Sequence, residues 1–267
     1  MDELVLMALI ATLGTWFITA LGAATVVFFK SPKLKYLNFL LGFASGVMIA
    51  ASFWSLLLPA TERAETNSFI PSYLVVTSGF VLGAVFMWIS DKIVTLCQKQ
   101  TEDTSPLAKE KLTRIIMLIL SITLHNIPEG LAVGVAFGAL GNIGITTEGL
   151  MGAITIAIGI GLQNFPEGAA VSLPLRREGY SRKKSFFLGQ ASGMVEPVAG
   201  VFGALLVVYI EGILPYALSF AAGAMILVAV HELIPECQTN KKSEPYLSTM
   251  GIISGFSIMM LLDVMLG

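Results

Sequence analysis

The chain of 267 residues contains long apolar segments at about 4–29, 36–58, 70–94, 113–138, 149–174, 185–209, 213–235 and 246–266. The hydrocarbon core of a bilayer is about 30 Å thick, and roughly 20 helical residues cross it. No water is available there for backbone N–H and C=O groups, so each such segment closes its own hydrogen bonds as a helix. The expected fold class is all-α integral membrane, with eight transmembrane helices in a single domain over residues 1–267. Only 13% of the residues are charged and mean hydropathy is +0.80. An ordinary soluble domain is nearer a quarter charged. The longest polar interruption, 95–112 ("TLCQKQTEDTSPLAKEKL"), is expected to be a flexible loop between helices three and four.

Charge placement tests the helix count. Of the 16 lysines and arginines, all but Arg63 fall in or beside the connections 1–2, 3–4, 5–6 and 7–8. The positive-inside rule makes that side cytosolic, so both termini are expected outside and 95–112 inside, in a cytoplasmic (plasma) membrane. The N-terminal "MDELVLMALIATLGTWF" carries acidic residues where a signal peptide carries Lys or Arg, and reads as the first membrane helix. A net charge of −2 offers no basic surface, so no nucleic-acid partner is expected. Cys97 and Cys237 lie far apart, on the predicted cytosolic side, and form neither a disulfide framework nor a metal knuckle.

Two internal repeats appear. "LHNIPEGLAVGVA" in helix four resembles "LQNFPEGAAVSLP" in helix five, and "FASGVM" at 43–48 resembles "FAAGAM" at 220–225. Helices two and seven run in opposite directions, as do four and five. This is the inverted-repeat pattern of transporters, whose sites lie near mid-membrane at interrupted helices.

The helix-four repeat places His125 and Glu129 four residues apart, on one helical face, with Asn126 three residues before the glutamate. Pro128 removes a backbone donor and frees the carbonyl of Leu124. Gln163, Asn164, Pro166 and Glu167 repeat the arrangement in helix five, and "SGMVEP" in helix six adds Glu196. Three buried carboxylates would cost roughly 7–10 kcal/mol on insertion scales, and no lysine or arginine lies between residues 115 and 175 to neutralise them. One or two divalent cations would. Carboxylate oxygen, imidazole nitrogen and amide oxygen suit Zn²⁺, and also Fe²⁺, Mn²⁺, Co²⁺ and Cd²⁺. A proton relay through hydrogen-bonded carboxylates is the competing reading of the same residues.

"HNIPEG", "QNFPEG", "SGMVEP" and "HELIPE" closely resemble motifs of the ZIP (Zrt/Irt-like) family of divalent metal transporters, particularly its GufA-type branch. The resemblance covers essentially the whole chain. It implies uptake of Zn²⁺ or a related metal into the cytosol, with helices 1–3 related by inversion to helices 6–8 around helices 4 and 5. A homodimer and a binuclear centre are also implied. In that centre His125, Gln163, Glu129 and Glu167 would form one site. Asn126, Asn164 and Glu196 would form its neighbour, bridged by Glu129 and Glu167. Many family members have histidine where Gln163 stands, and an amide is the weaker donor. The metal is cargo, and no resident cofactor is expected. The 95–112 segment has no histidine, so it holds no metal store.

Candidate exit residues are His231, Glu232 and Glu236 in "HELIPE", and Met48 and Met225 hold matching places in the second repeat as candidate soft contacts on the pathway. Asp91 and Asp263, near helix ends, are expected to be solvated. An intramembrane metal hydrolase is disfavoured because HExxH fails at Pro235, so the chain is not expected to be an enzyme. Membrane lipid and a divalent metal are the expected partners. A proton-coupled exporter is a third reading of the same residues.

Overall fold

The structure is a computed structural model that describes residues 2–28, 34–67, 70–102, 107–143, 145–177, 179–210, 212–238 and 246–266. Every regular element among them is helical. In chain order the helices are α1 (2–27), α2 (34–67), α3 (Ser72–Glu102), α4 (Leu107–Ile143), α5 (Thr147–Arg177), α6 (Arg182–Tyr209), α7 (Leu214–Cys237) and α8 (Leu247–Leu266). Among the described residues, seven of these, all but α4, are long and apolar enough to cross a bilayer. Gly179 and Gly212 adopt φ of 96° and 83° in the tight α5–α6 and α6–α7 turns, a backbone conformation glycine enters without steric cost.

The packing inverts the rule for soluble proteins. Leu6, Ile10, Leu13, Phe17 and Leu21 line an exposed face of α1, while Thr12, Thr15 and Thr19 on its other face are buried. Such an apolar stripe is stable facing lipid and would be an aggregation surface in water. One apolar cluster draws residues from all of these helices, including Leu4 of α1, Met87 of α3, Val133 of α4 and Met259 of α8.

Helix pairs approach through glycines. A Cβ at Gly168 on α5 would strike the carbonyl of Thr19 on α1, and one at Gly130 on α4 would strike that of Glu196 on α6. Likewise Gly46 of α2 lies against Ile252 of α8, and Gly223 of α7 against Phe80 of α3. Small residues let membrane helices approach closely enough for backbone van der Waals contact. The pairs α1–α5 and α2–α8 become α6–α4 and α7–α3 when helices one to three are exchanged with six to eight, and four with five.

The structure departs from the sequence expectations, or adds to them, at three places. The 95–112 stretch is helical over 95–102 and 107–112, extending α3 and α4, while 103–106 lies outside the described residues. Its Gln, Glu, Lys and Leu residues are good helix formers once past the lipid. Second, α2 and α7 each contain a π-helical turn, Ser52–Leu57 and Ala229–Leu233, a few residues after the repeated FASGVM/FAAGAM motif. Such turns realign the side chains that follow and are frequent at functional sites. Third, Asp263 is not simply solvated: Ser55, within the α2 π-turn, donates to its Oδ1 at 2.5 Å. Asp91 of α3 lies 3.8 Å from Nε2 of His231, within the α7 π-turn.

Candidate metal centre

Helix α4 continues through Pro128, and α5 through Pro166 and Pro174. The two PEG motifs therefore lie on unbroken helices, with their polar side chains directed inward. Glu129, Gln163, Asn164 and Glu196 are all wholly buried, Asn126 nearly so, and Glu167 and His125 retain 8% and 7% exposure.

The Gln163 amide of α5 donates to Glu129 Oε1 of α4 at 2.6 Å. Asn164 Nδ2 reaches both carboxylate oxygens of Glu196 on α6, at 2.9 and 2.8 Å, and donates to the Thr15 carbonyl of α1 at 3.2 Å. Asn126 Nδ2 donates at 2.9 Å to the carbonyl of Ser192, in the 3-10 turn preceding Glu196. Every amide NH₂ is thus committed to an oxygen. The atoms left over are all oxygens: Asn126 Oδ1, Glu129 Oε2, Gln163 Oε1 and Asn164 Oδ1 are buried with no hydrogen-bond donor. Buried acceptors are rarely left unpaired, because each forfeits about 1–3 kcal/mol of solvation. Unpaired lone-pair donors of this kind are what a cation can engage.

His125 is placed differently from the grouping the resemblance implies. Its Nε2 lies 2.7 Å from Glu232 Oε1 on α7. Glu129 is already engaged by Gln163, and the π-turn presents Glu232 to α4 from the other side. No group of three or more His, Cys, Asp or Glu side chains converges at metal-binding distance among the described residues. A metal held here would take amide oxygens as part of its shell, which makes a labile site rather than a closed cage.

The exit candidates divide. Glu232 joins His125, His231 is largely exposed beside Asp91, and Glu236 is exposed at the end of α7. Met48 and Met225 are buried inside the main apolar cluster. Sequence reasoning missed Thr15, whose hydroxyl donates to Glu196 Oε2 at 2.5 Å. The signal was present: Thr12, Thr15 and Thr19 recur at helical spacing on one face of an otherwise apolar segment.

The profile of the ZIP Zinc transporter family matches residues 97–263. The chain is 40% identical to the zinc transporter ZIP11 of Xenopus tropicalis over 98% of each chain, and equally so to that of Homo sapiens. It is 34% identical to the zinc transporter GufA of Myxococcus xanthus, over 97% of this chain and 98% of that one. Duplicated PEG motifs, buried donor oxygens, membrane-length helices and these whole-length likenesses converge: the chain belongs to the ZIP zinc transporter family.

Proposed function

We propose that this chain imports Zn²⁺ into the cytosol through the site where α4, α5 and α6 meet, with Fe²⁺, Mn²⁺, Co²⁺ and Cd²⁺ as further substrates. The observation that carries the reading is the set of four buried oxygens without donors, two from each PEG helix. Its relatives are named zinc transporters. The ion sheds most of its water and takes Glu129 Oε2 with the amide oxygens of Asn126, Gln163 and Asn164. Glu167 adds a second charge and Glu196 closes a neighbouring, second metal position. From there the ion moves to the His125–Glu232 pair, and His231 and Glu236 receive it at the inner end of α7. Backbone carbonyls freed by Pro128 and Pro166 help line the path.

In the same reading α4 is the eighth span. Its 37 residues extend about 55 Å at 1.5 Å per residue, well beyond the bilayer core. The side bearing every lysine and arginine except Arg63 faces the cytosol, with both termini outside the plasma membrane. The family resemblance extends the reading to a homodimer.

Flux measurement in proteoliposomes tests this. A Zn²⁺ gradient directed toward the cytosolic face of the oriented protein is expected to drive saturable metal movement, slowed by each of the other divalent ions in competition. Proton movement without metal movement would return the proton-relay reading, and metal flux driven only in the opposite sense would make the protein an exporter.

A further inference from the structure

We propose that the Thr15 hydroxyl is a latch on Glu196: it holds that carboxylate against α1, and a metal ion reaches Glu196 only by displacing it. This rests on the reading of the α4–α5–α6 site as the transport site. Two of the three carboxylates of the site, Glu129 and Glu196, are prepared differently. Glu129 has a donor on Oε1 and none on Oε2. Glu196 has donors on both oxygens: Thr15 Oγ1 at 2.5 Å, shorter than the 3.0 Å from the same hydroxyl to the Thr12 carbonyl, and Asn164 Nδ2 at 2.8 Å on Oε2, with Asn164 Nδ2 at 2.9 Å and Thr19 Oγ1 at 3.5 Å on Oε1. A carboxylate offers about four lone-pair positions, and Thr15 and Asn164 together occupy part of both Glu196 oxygens, where Glu129 keeps one oxygen wholly free.

The surroundings hold the latch shut. A Cβ at Gly193 would come within 3.1 Å of Glu196 Oε1, of Thr19 Oγ1 and of the Trp16 ring, so the turn before Glu196 packs closely on this contact. Trp16 Nε1 donates to the Gln190 carbonyl at 3.0 Å, tying α1 to α6 beside it. Metal therefore binds first at the Glu129 end, and the Glu196 position fills second and more weakly. Thr15 acts as a positioning residue that sets the gap between the two steps.

Titration of the purified full-length protein with Zn²⁺, followed by calorimetry, tests this with Thr15→Val, which keeps the side-chain shape and the backbone carbonyl that holds Asn164. Loss of a hydrogen bond to a charged group is expected to tighten the weaker Zn²⁺ step about tenfold and leave the tighter step unchanged. Thr15→Ser is expected to restore the original pair of affinities, and Thr15→Ala, without β-branching, to match Thr15→Val. A second Zn²⁺ appearing only in the hydroxyl-less variants also supports the latch. An unchanged or weakened second step, or a serine variant that behaves like valine, overturns it while leaving the transport site intact. Failure of the unaltered protein to bind Zn²⁺ overturns the site and the latch together.

Discussion

Glu129→Gln is expected to reduce Zn²⁺ uptake about a hundredfold or more while leaving the protein folded at least as stably as before. The two halves of this result pull in opposite directions, which makes the variant informative. Glu129 is wholly buried, with one oxygen on Gln163 and the other on nothing. A charged group at mid-membrane costs about 2.5–3.5 kcal/mol on insertion scales, and an amide of the same shape costs less. Glutamine still accepts from Gln163 Nε2, so the α4–α5 contact survives. The change removes one negative charge and one strong oxygen donor from the proposed metal site. Even residues that merely support metal ligands typically cost 10–100-fold when changed, so loss of a ligand should reach or exceed that range. Uptake into proteoliposomes beside thermal unfolding of the same preparation reads both halves. Full uptake would take the PEG carboxylate out of the transport step and move the pathway elsewhere.

The fold was legible where a physical constraint left few solutions. Apolar segments of membrane length must be helices, so the helices lie where the hydropathy placed them. The PEG motifs were legible because they are duplicated: a lone buried Glu129 reads as an oddity, whereas Glu129 and Glu167 in matching contexts read as a site. Polarity misled at 95–112, because it marks the edge of the lipid and not the end of a helix. The π-turns carry no composition signal of their own. Only the matched FASGVM and FAAGAM segments pointed toward them, and their effect, bringing Glu232 to His125 and Ser55 to Asp263, depends on pairings between distant helices. Thr15 was hidden for a different reason. Threonine in a membrane helix commonly bonds its own backbone, as Thr12 does to the Ala8 carbonyl at 2.7 Å and Thr15 itself can to the Thr12 carbonyl at 3.0 Å, so its type alone does not announce a contact with Glu196 on α6.

The glycine of the PEG motif had no chemical role in the sequence reading, and the packing supplies one that leads to the second large expected effect. Gly130, Gly134 and Gly138 recur every four residues on α4, facing Glu196, Gly200 and Ala204 of α6. A Cβ at Gly134 would lie 2.7 Å from the Gly200 Cα, a distance that no side-chain adjustment relieves because the obstacle is backbone. By helix propensity alone Gly134→Ala stabilises by about 1 kcal/mol. Overpacking at a backbone contact costs about 1–3 kcal/mol and occasionally more, so the net sign reverses. The expected outcome is an apparent unfolding temperature in detergent lower by several degrees or more, with uptake falling because α4 and α6 can no longer bring Asn126 and Glu196 to one site. Gly14→Ala on α1 is the control, since its Cβ would meet nothing within 4 Å and only the propensity gain should remain. Equal stabilisation by both substitutions would mean that the α4–α6 approach is looser than this packing, and the donor oxygens correspondingly farther apart.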